Sequence, residues 1–265
     1  MSPTCSPLPT FWNATAGAPS MMRARPIISA TAVNRMSRSV FRPVTVLASA
    51  FVLASLVVTT TFSPVRAASP EEIERVSKHF EKVALFLEAS GKEAPLSRWE
   101  RQPVINVVGG KAHFKELAAL LNDLGKMTGL GFTTQKLSKR KATFRIYFMS
   151  TAEIREKTPF KRANCAFGVG RKSNGEIAFA DVYISTDTVE KTRHCIYQEV
   201  TQALGLRNDS TIVEESIFND QIVRHSLTET DRILIRTLYD KRLKPGMDRR
   251  TAMPIALGII AQQMR

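Results

Sequence analysis

Tyr197 to Asp209, "YQEVTQALGLRND", is the stretch on which the fold turns. Gln198 and Gln202 stand four residues apart, which places both side chains on one face of a helix. Glu199 lies beside the first amide, and Gly205 is a residue suited to end a helix. Asn208 and Asp209 follow it, close enough in sequence to turn back toward the amide face. Apolar periodicity extends the pattern upstream, so a helix from about Thr188 to Leu204 is expected, with Gly205 as its C-terminal cap.

A zinc protease of the short-spacer class needs two imidazoles at this separation, because both ring nitrogens must reach one ion. A glutamate next to the first acts as general base on the metal-bound water. A glycine then lets the chain turn so that a third ligand reaches back. On that spacing Gln198 and Gln202 occupy the histidine positions, Glu199 the base position and Gly205 the turn. Asn208 or Asp209 occupies the position of the third ligand.

Two later segments extend the comparison. Ser216-Ile217-Phe218 sits where these proteases carry a turn whose methionine lies beneath the metal, and "LTETDRILIRTLY", Leu227 to Tyr239, resembles their closing helix. Residues from about Val104 to Tyr239 therefore resemble a metzincin domain, most like the matrixin type. More narrowly, "EVTQALGLRND", "SIFND" and "LYDKRLKPGM" resemble DUF2927, a proteobacterial family of exported proteins of unknown function. The resemblance implies an α+β, zincin-like fold: a mixed sheet with a backing helix, a motif helix and a C-terminal helix. It implies no reaction, because the family has no assigned activity.

The departures from the protease pattern decide what transfers. An amide oxygen is a weak zinc donor and suits harder ions, whereas neutral imidazole is a strong one. Two amides and a carboxylate are not expected to hold zinc, so no metal and no cofactor are assigned. The four histidines propose no other site: His194 shares the face of Gln198 and Gln202 but makes a linear stripe, and His79, His113 and His225 are scattered.

Three readings of the motif stand. In the first, Gln198 and Gln202 hydrogen-bond across the space an ion would fill, and Glu199 is a buried or cleft-lining acid. In the second, the cleft formed with Asn208, Asp209 and Phe218 takes an extended peptide or an envelope component by strand addition, without cleavage. In the third, Glu199, raised in pKa by burial and partnered by Asp209, is the general acid or base of a metal-independent or atypically metallated hydrolase. Phe218 in place of methionine fills the floor with an apolar ring, which fits a lost ion better than a retained one.

Upstream, Ser69-Pro70-Glu71-Glu72 reads as a capping box opening a helix that Gly91 stops. A strand is expected at Val104 to Val108, and a helix from Lys111 to Lys126 with Phe114, Leu117, Ala118, Leu121 and Leu124 inward. Thr143 to Met149 alternates as a strand, and Ser150 caps a short helix. Cys165 to Val169 and Glu176 to Ile184 form a hairpin around Asn174-Gly175. Thr228 opens what reads as the last long helix.

The N-terminal quarter has a different composition. Val44 to Phe62 is apolar and free of charge, Arg35, Arg38 and Arg42 precede it, and Val65-Arg66-Ala67 offers small residues for a signal peptidase. Residues 1–67 are thus expected to be an N-terminal extension and signal peptide, cut after Ala67, and 68–265 a single domain that is periplasmic or secreted. The alternative is an uncleaved anchor, the one membrane contact expected; Met36 is an alternative start. Residues 68–265 hold 32 basic and 24 acidic residues, a net charge of +8. That balance favours anionic surfaces, but Lys136, Lys139, Arg140 and Lys141, and Lys241, Arg242, Lys244, Arg249 and Arg250, lack interleaved aromatics, so nucleic acid is not an expected partner. Cys165 and Cys195 are the cysteines beyond residue 67 and are read as a disulfide.

Overall fold

The computed structural model describes residues 68–87, 90–132 and 142–265. The expected leader, its cut at Ala67 and the basic cluster at Lys136, Lys139, Arg140 and Lys141 lie outside the described residues.

Ser69 begins the fold with the expected capping box. Its Oγ accepts from the Glu72 amide and its own amide donates to the Glu72 carboxylate, with Pro70 at the first helical position. The helix so started, α1 (Pro70–Leu85), buries Val76, Phe80 and Val83. Next come strand β1 (Ile105–Val108), one 3-10 turn at Lys111–His113, and helix α2 (Phe114–Thr128). The buried stripe of α2 is Leu117, Leu120, Leu121 and Leu124. Phe114, expected to face inward, is the first residue of α2 and is exposed.

Strand β2 (Phe144–Met149) alternates buried Phe144, Ile146 and Phe148 with half-buried Arg145 and Tyr147. Helix α3 (Thr151–Lys157) follows behind a second capping box, Ser150 with Glu153. The hairpin then forms strands β3 (Ala166–Arg171) and β4 (Ile177–Ser185), with Gly175 at φ +85° in its turn.

The four strands lie in the order β1-β2-β4-β3. The first three are mutually parallel, and β3 runs antiparallel to β4 at one edge. On the outer sheet face Arg145 pairs with Asp181 directly opposite, at 2.5 and 2.6 Å, and Tyr147 stacks on Tyr183. On the inner face Phe144, Ile146, Ala180, Val182 and Ile184 are buried in the main core.

Helix α4 (Val189–Gln202) packs on β4 and β3 through Ile196 and Val200. Thr188 caps it, and Ala203 ends it. Gly205 lies beyond the cap, where its amide donates to the Gln202 carbonyl at 2.9 Å. Its φ of +122° and its approach to Ser97 set its identity: a Cβ there would lie 2.0 Å from the Ser97 carbonyl oxygen.

Helix α5 (Glu229–Tyr239) opens on Thr228 as expected, but it is not the last. Asp248 caps a further helix, α6 (Arg249–Gln263), which packs on α1 and α5. Pro254 and Gly258 lie inside α6 and depress its helical signal in sequence; Ala252, Ala256, Ile259 and Ile260 bury the face that holds it. The architecture is therefore α+β, with a four-stranded mixed sheet and six α-helices among the described residues.

Candidate functional site: the cleft between the edge strand and the motif helix

The start of β3 and the length of α4 enclose a cleft of about 470 Å³. One wall is Cys165, Ala166 and Phe167; the opposite wall is α4, with Gln198, Glu199 and Gln202 toward its inner end and Lys191 at its outer end. The disulfide Cys165–Cys195 ties the two walls together, as expected from the sequence, across a separation of 30 residues.

The two amides meet one carboxylate. Gln198 Nε2 donates to Asp209 Oδ1 at 3.1 Å and Gln202 Nε2 donates to the same oxygen at 2.7 Å. Gln198 and Gln202 are 7% and 2% exposed, and the shared acceptor satisfies one N–H of each. Glu199 is 7% exposed and also lines the cleft. The helix spacing, the turn at Gly205 and the reach of Asp209 thus converge on one point, the arrangement the sequence motif anticipated.

Two expected lining residues are elsewhere. Asn208 turns the other way, and its Nδ2 donates to the Lys82 carbonyl of α1 at 3.2 Å. The chain bends at Asn208, which anchors the loop to α1, while Asp209 lines the cleft. Phe218 is fully buried and meets His79 edge-on at 6.1 Å, so it belongs to the core beneath the loop and not to the cleft surface.

His194, one turn before Gln198, also lines the cleft. Its Nδ1 lies 3.1 Å from the Arg224 amide nitrogen and 3.2 Å from the Arg224 carbonyl oxygen, so it accepts from the one or donates to the other according to its tautomer, and burial lowers its pKa from the ordinary imidazole value. Among the described residues, no three His, Cys, Asp or Glu side chains are grouped as a metal site.

Behind the cleft is a buried chain of polar groups that sequence reasoning missed. Asp231, fully buried on α5, accepts from Ser216 Oγ at 2.6 Å, from the Ile217 amide, and from the amide and hydroxyl of Thr228 at 2.8 Å each. Burial raises the Asp231 pKa, and these four donors work against that rise. Ser216, whose hydroxyl hydrogen is directed at Asp231, accepts from His79 Nε2 at 2.9 Å; His79 Nδ1 then accepts from Ser210 Oγ at 3.0 Å.

One direction of donation satisfies every member: Ser210 to His79, His79 to Ser216, Ser216 to Asp231. Burial, with Arg75 adding a smaller push, drives the His79 pKa down to about 4, so the ring is neutral at pH 7. The chain holds the loop between α4 and α5 at two points within it, Ser210, which directly follows Asp209, and Ser216, which begins the turn containing Phe218. The one sequence signal for it was the Thr228-to-Asp231 capping box; nothing local links His79 to residues more than 130 positions away.

Comparison with known families gives one match. The model of a family described as a protein of unknown function, DUF2927, covers residues 73–257, more than half of the chain. No curated protein and no solved structure matches.

Proposed function

Because the chain belongs to the DUF2927 family of proteins of unknown function, we propose a function from the site itself: β3 and α4 form a docking cleft for an extended peptide segment of an envelope protein. The observation that carries this reading is the antiparallel edge position of β3, whose first residues form a wall of the cleft. An edge strand offers main-chain donors and acceptors to an added strand, which supplies affinity, while the adjoining wall reads side chains.

The same arrangement supports descent from a zincin-like protease. Three parallel strands followed by an antiparallel edge strand over a motif helix is the layout such an enzyme needs to lay substrate along its metal. In place of the metal, two amides close on Asp209. That exchange fits our reading of peptide binding without zinc-dependent cleavage better than catalysis at a zinc ion. The disulfide supports export to an oxidising compartment, periplasmic or extracellular.

Amide hydrogen exchange tests the docking mode. In a screen of unstructured envelope-protein peptides, a ligand is expected to slow exchange at residues 166–171 and to bind equally well to the Glu199→Gln variant. Protection elsewhere with none on β3 sinks strand addition. Turnover of a bound peptide that Glu199→Gln abolishes transfers the assignment to a hydrolase.

A further inference from the structure

Four segments far apart in sequence meet at the end of the sheet where the hairpin turns. The Ile177 amide donates to the Arg98 carbonyl, the Gly246 amide to the Leu96 carbonyl, and Gly175 sits so close to Gly246 that a Cβ on it would lie 2.3 Å from the Gly246 nitrogen. Arg207 reaches the same region, donating to the Pro95 carbonyl at 3.0 Å. Each segment brings cations.

Most of the local acids are already spent. Glu100 pairs with Arg98, Glu176 with Lys172 at 2.8 Å, and Asp240 with Arg242. Arg101 has only a 3.8 Å approach to the occupied Glu176, and its side chain is 84% exposed. Arg171, Lys241 and Lys244 are exposed, and neither they nor Arg207 make an ion pair among the described residues.

Arg207 is the unusual member. It is 5% exposed, it bonds only carbonyls, and its Nε has no hydrogen-bond partner. Burial and the neighbouring Arg171 charge push its pKa down to about 10, which leaves it a cation at neutral pH. A buried charge is weakly screened, so its field adds to that of the exposed cations above it.

We propose that this face, formed by the β3–β4 turn, residues 95–101 and the loop between α5 and α6, is a docking surface for an anionic bilayer, recognised through its array of headgroup phosphates. The cations are spread over loops and form no groove or major-groove helix. Trp99, the indole nearest to them in sequence, is 4% exposed and unavailable for base stacking. A planar field of phosphates matches separated, flexible cations better than a nucleic-acid strand does.

Vesicle co-sedimentation of the full chain tests this, using phosphatidylcholine alone or mixed with about one third phosphatidylglycerol. The triple variant R101E/R171E/K244E is expected to lose at least about tenfold of its binding to the anionic vesicles. Its binding to neutral vesicles, where the apolar run Val44–Phe62 acts alike in every variant, stays unchanged. The neutralised triple R101Q/R171Q/K244Q, a milder change should the first fail to fold, falls in between. A control triple with the same charge change, K78E/K115E/R265E, retains most binding. Equal loss in both charge-reversal triples makes the effect one of net charge and overturns the proposal. So does duplex DNA outcompeting the vesicles at equal phosphate, or saturation of the effect by millimolar inorganic phosphate, which would mark a small-anion site.

Discussion

Asp209 Oδ1 is the acceptor on which the cleft closes, and its loss is expected to matter more than its partial exposure suggests. Asp209→Ala leaves two buried amide donors without that oxygen, a cost of about 2 kcal/mol, read as a lower urea midpoint; Asp209→Asn, which keeps an oxygen, loses less. The zincin reading makes a sharper demand at the same atoms. Gln198→His combined with Gln202→His places two imidazoles four apart opposite Asp209, and the double variant is expected to bind one zinc per chain by elemental analysis. Failure to bind zinc in a folded double variant counts against that ancestry. His79 sets a pH dependence. Its pKa is about 4 in the fold against an ordinary 6.5, so between these values the unfolded chain takes up a proton that the fold refuses. Stability present in full above about pH 6.5 therefore falls by about 3 kcal/mol on the way to pH 4 and levels off below. The raised pKa of Asp231 acts in the opposite sense, favouring the fold at low pH and costing stability as the carboxyl ionises. Urea unfolding of the wild type against His79→Gln from pH 7 to 4 isolates the histidine: the gap between them narrows as the pH falls.

At the scale of elements, the disulfide and the loop between α4 and α5 decide the shape of the cleft. Replacing Cys165 and Cys195 by serine opens a 30-residue loop and is expected to cost about 3 to 4 kcal/mol in the chain-entropy model. Because Cys165 directly precedes β3 and Cys195 lies one turn before Glu199, faster amide exchange is expected first at 166–171. Equal acceleration throughout the sheet refutes a local role. Gly205 makes a comparable demand where α4 meets the segment before β1. A Cβ there collides with the Ser97 carbonyl at a φ of +122°, so Gly205→Ala is expected to destabilise by well over the roughly 1 kcal/mol seen for a Gly change at an unstrained site. Thermal unfolding measures it. The helices with clean local signals, α1 with its capping box and α4 with its amide spacing, were legible in the sequence. The helix α6 was not, because Pro254 and Gly258 disguise a segment held by burial against α1 and α5.

Across the whole molecule, the sequence by itself determined the α+β class, the hairpin at Asn174-Gly175, the Cys165–Cys195 pairing and the placing of Gln198 and Gln202 on one helix face. All but the disulfide rest on short-range rules: period, cap, turn type, or side chains four apart on one helix; the disulfide follows from there being one pair of cysteines beyond residue 67. The spacing could nominate Asn208 and Asp209 equally, and only the packed loop showed that Asn208 goes to α1 and Asp209 to the cleft. Phe218 was placed under the site but not walled off from it, since burial is a property of the assembled core. The four-member chain from Ser210 to Asp231 was invisible in sequence, and the basic run at Lys241 and Lys244 gave no sign that Arg101, Arg171 and Arg207 gather beside it, because the members come from separate elements. What the tertiary structure alone decided was which distant polar groups share a buried space, and desolvation then forces those groups to pair, to shift their pKa, or to remain as uncompensated charge.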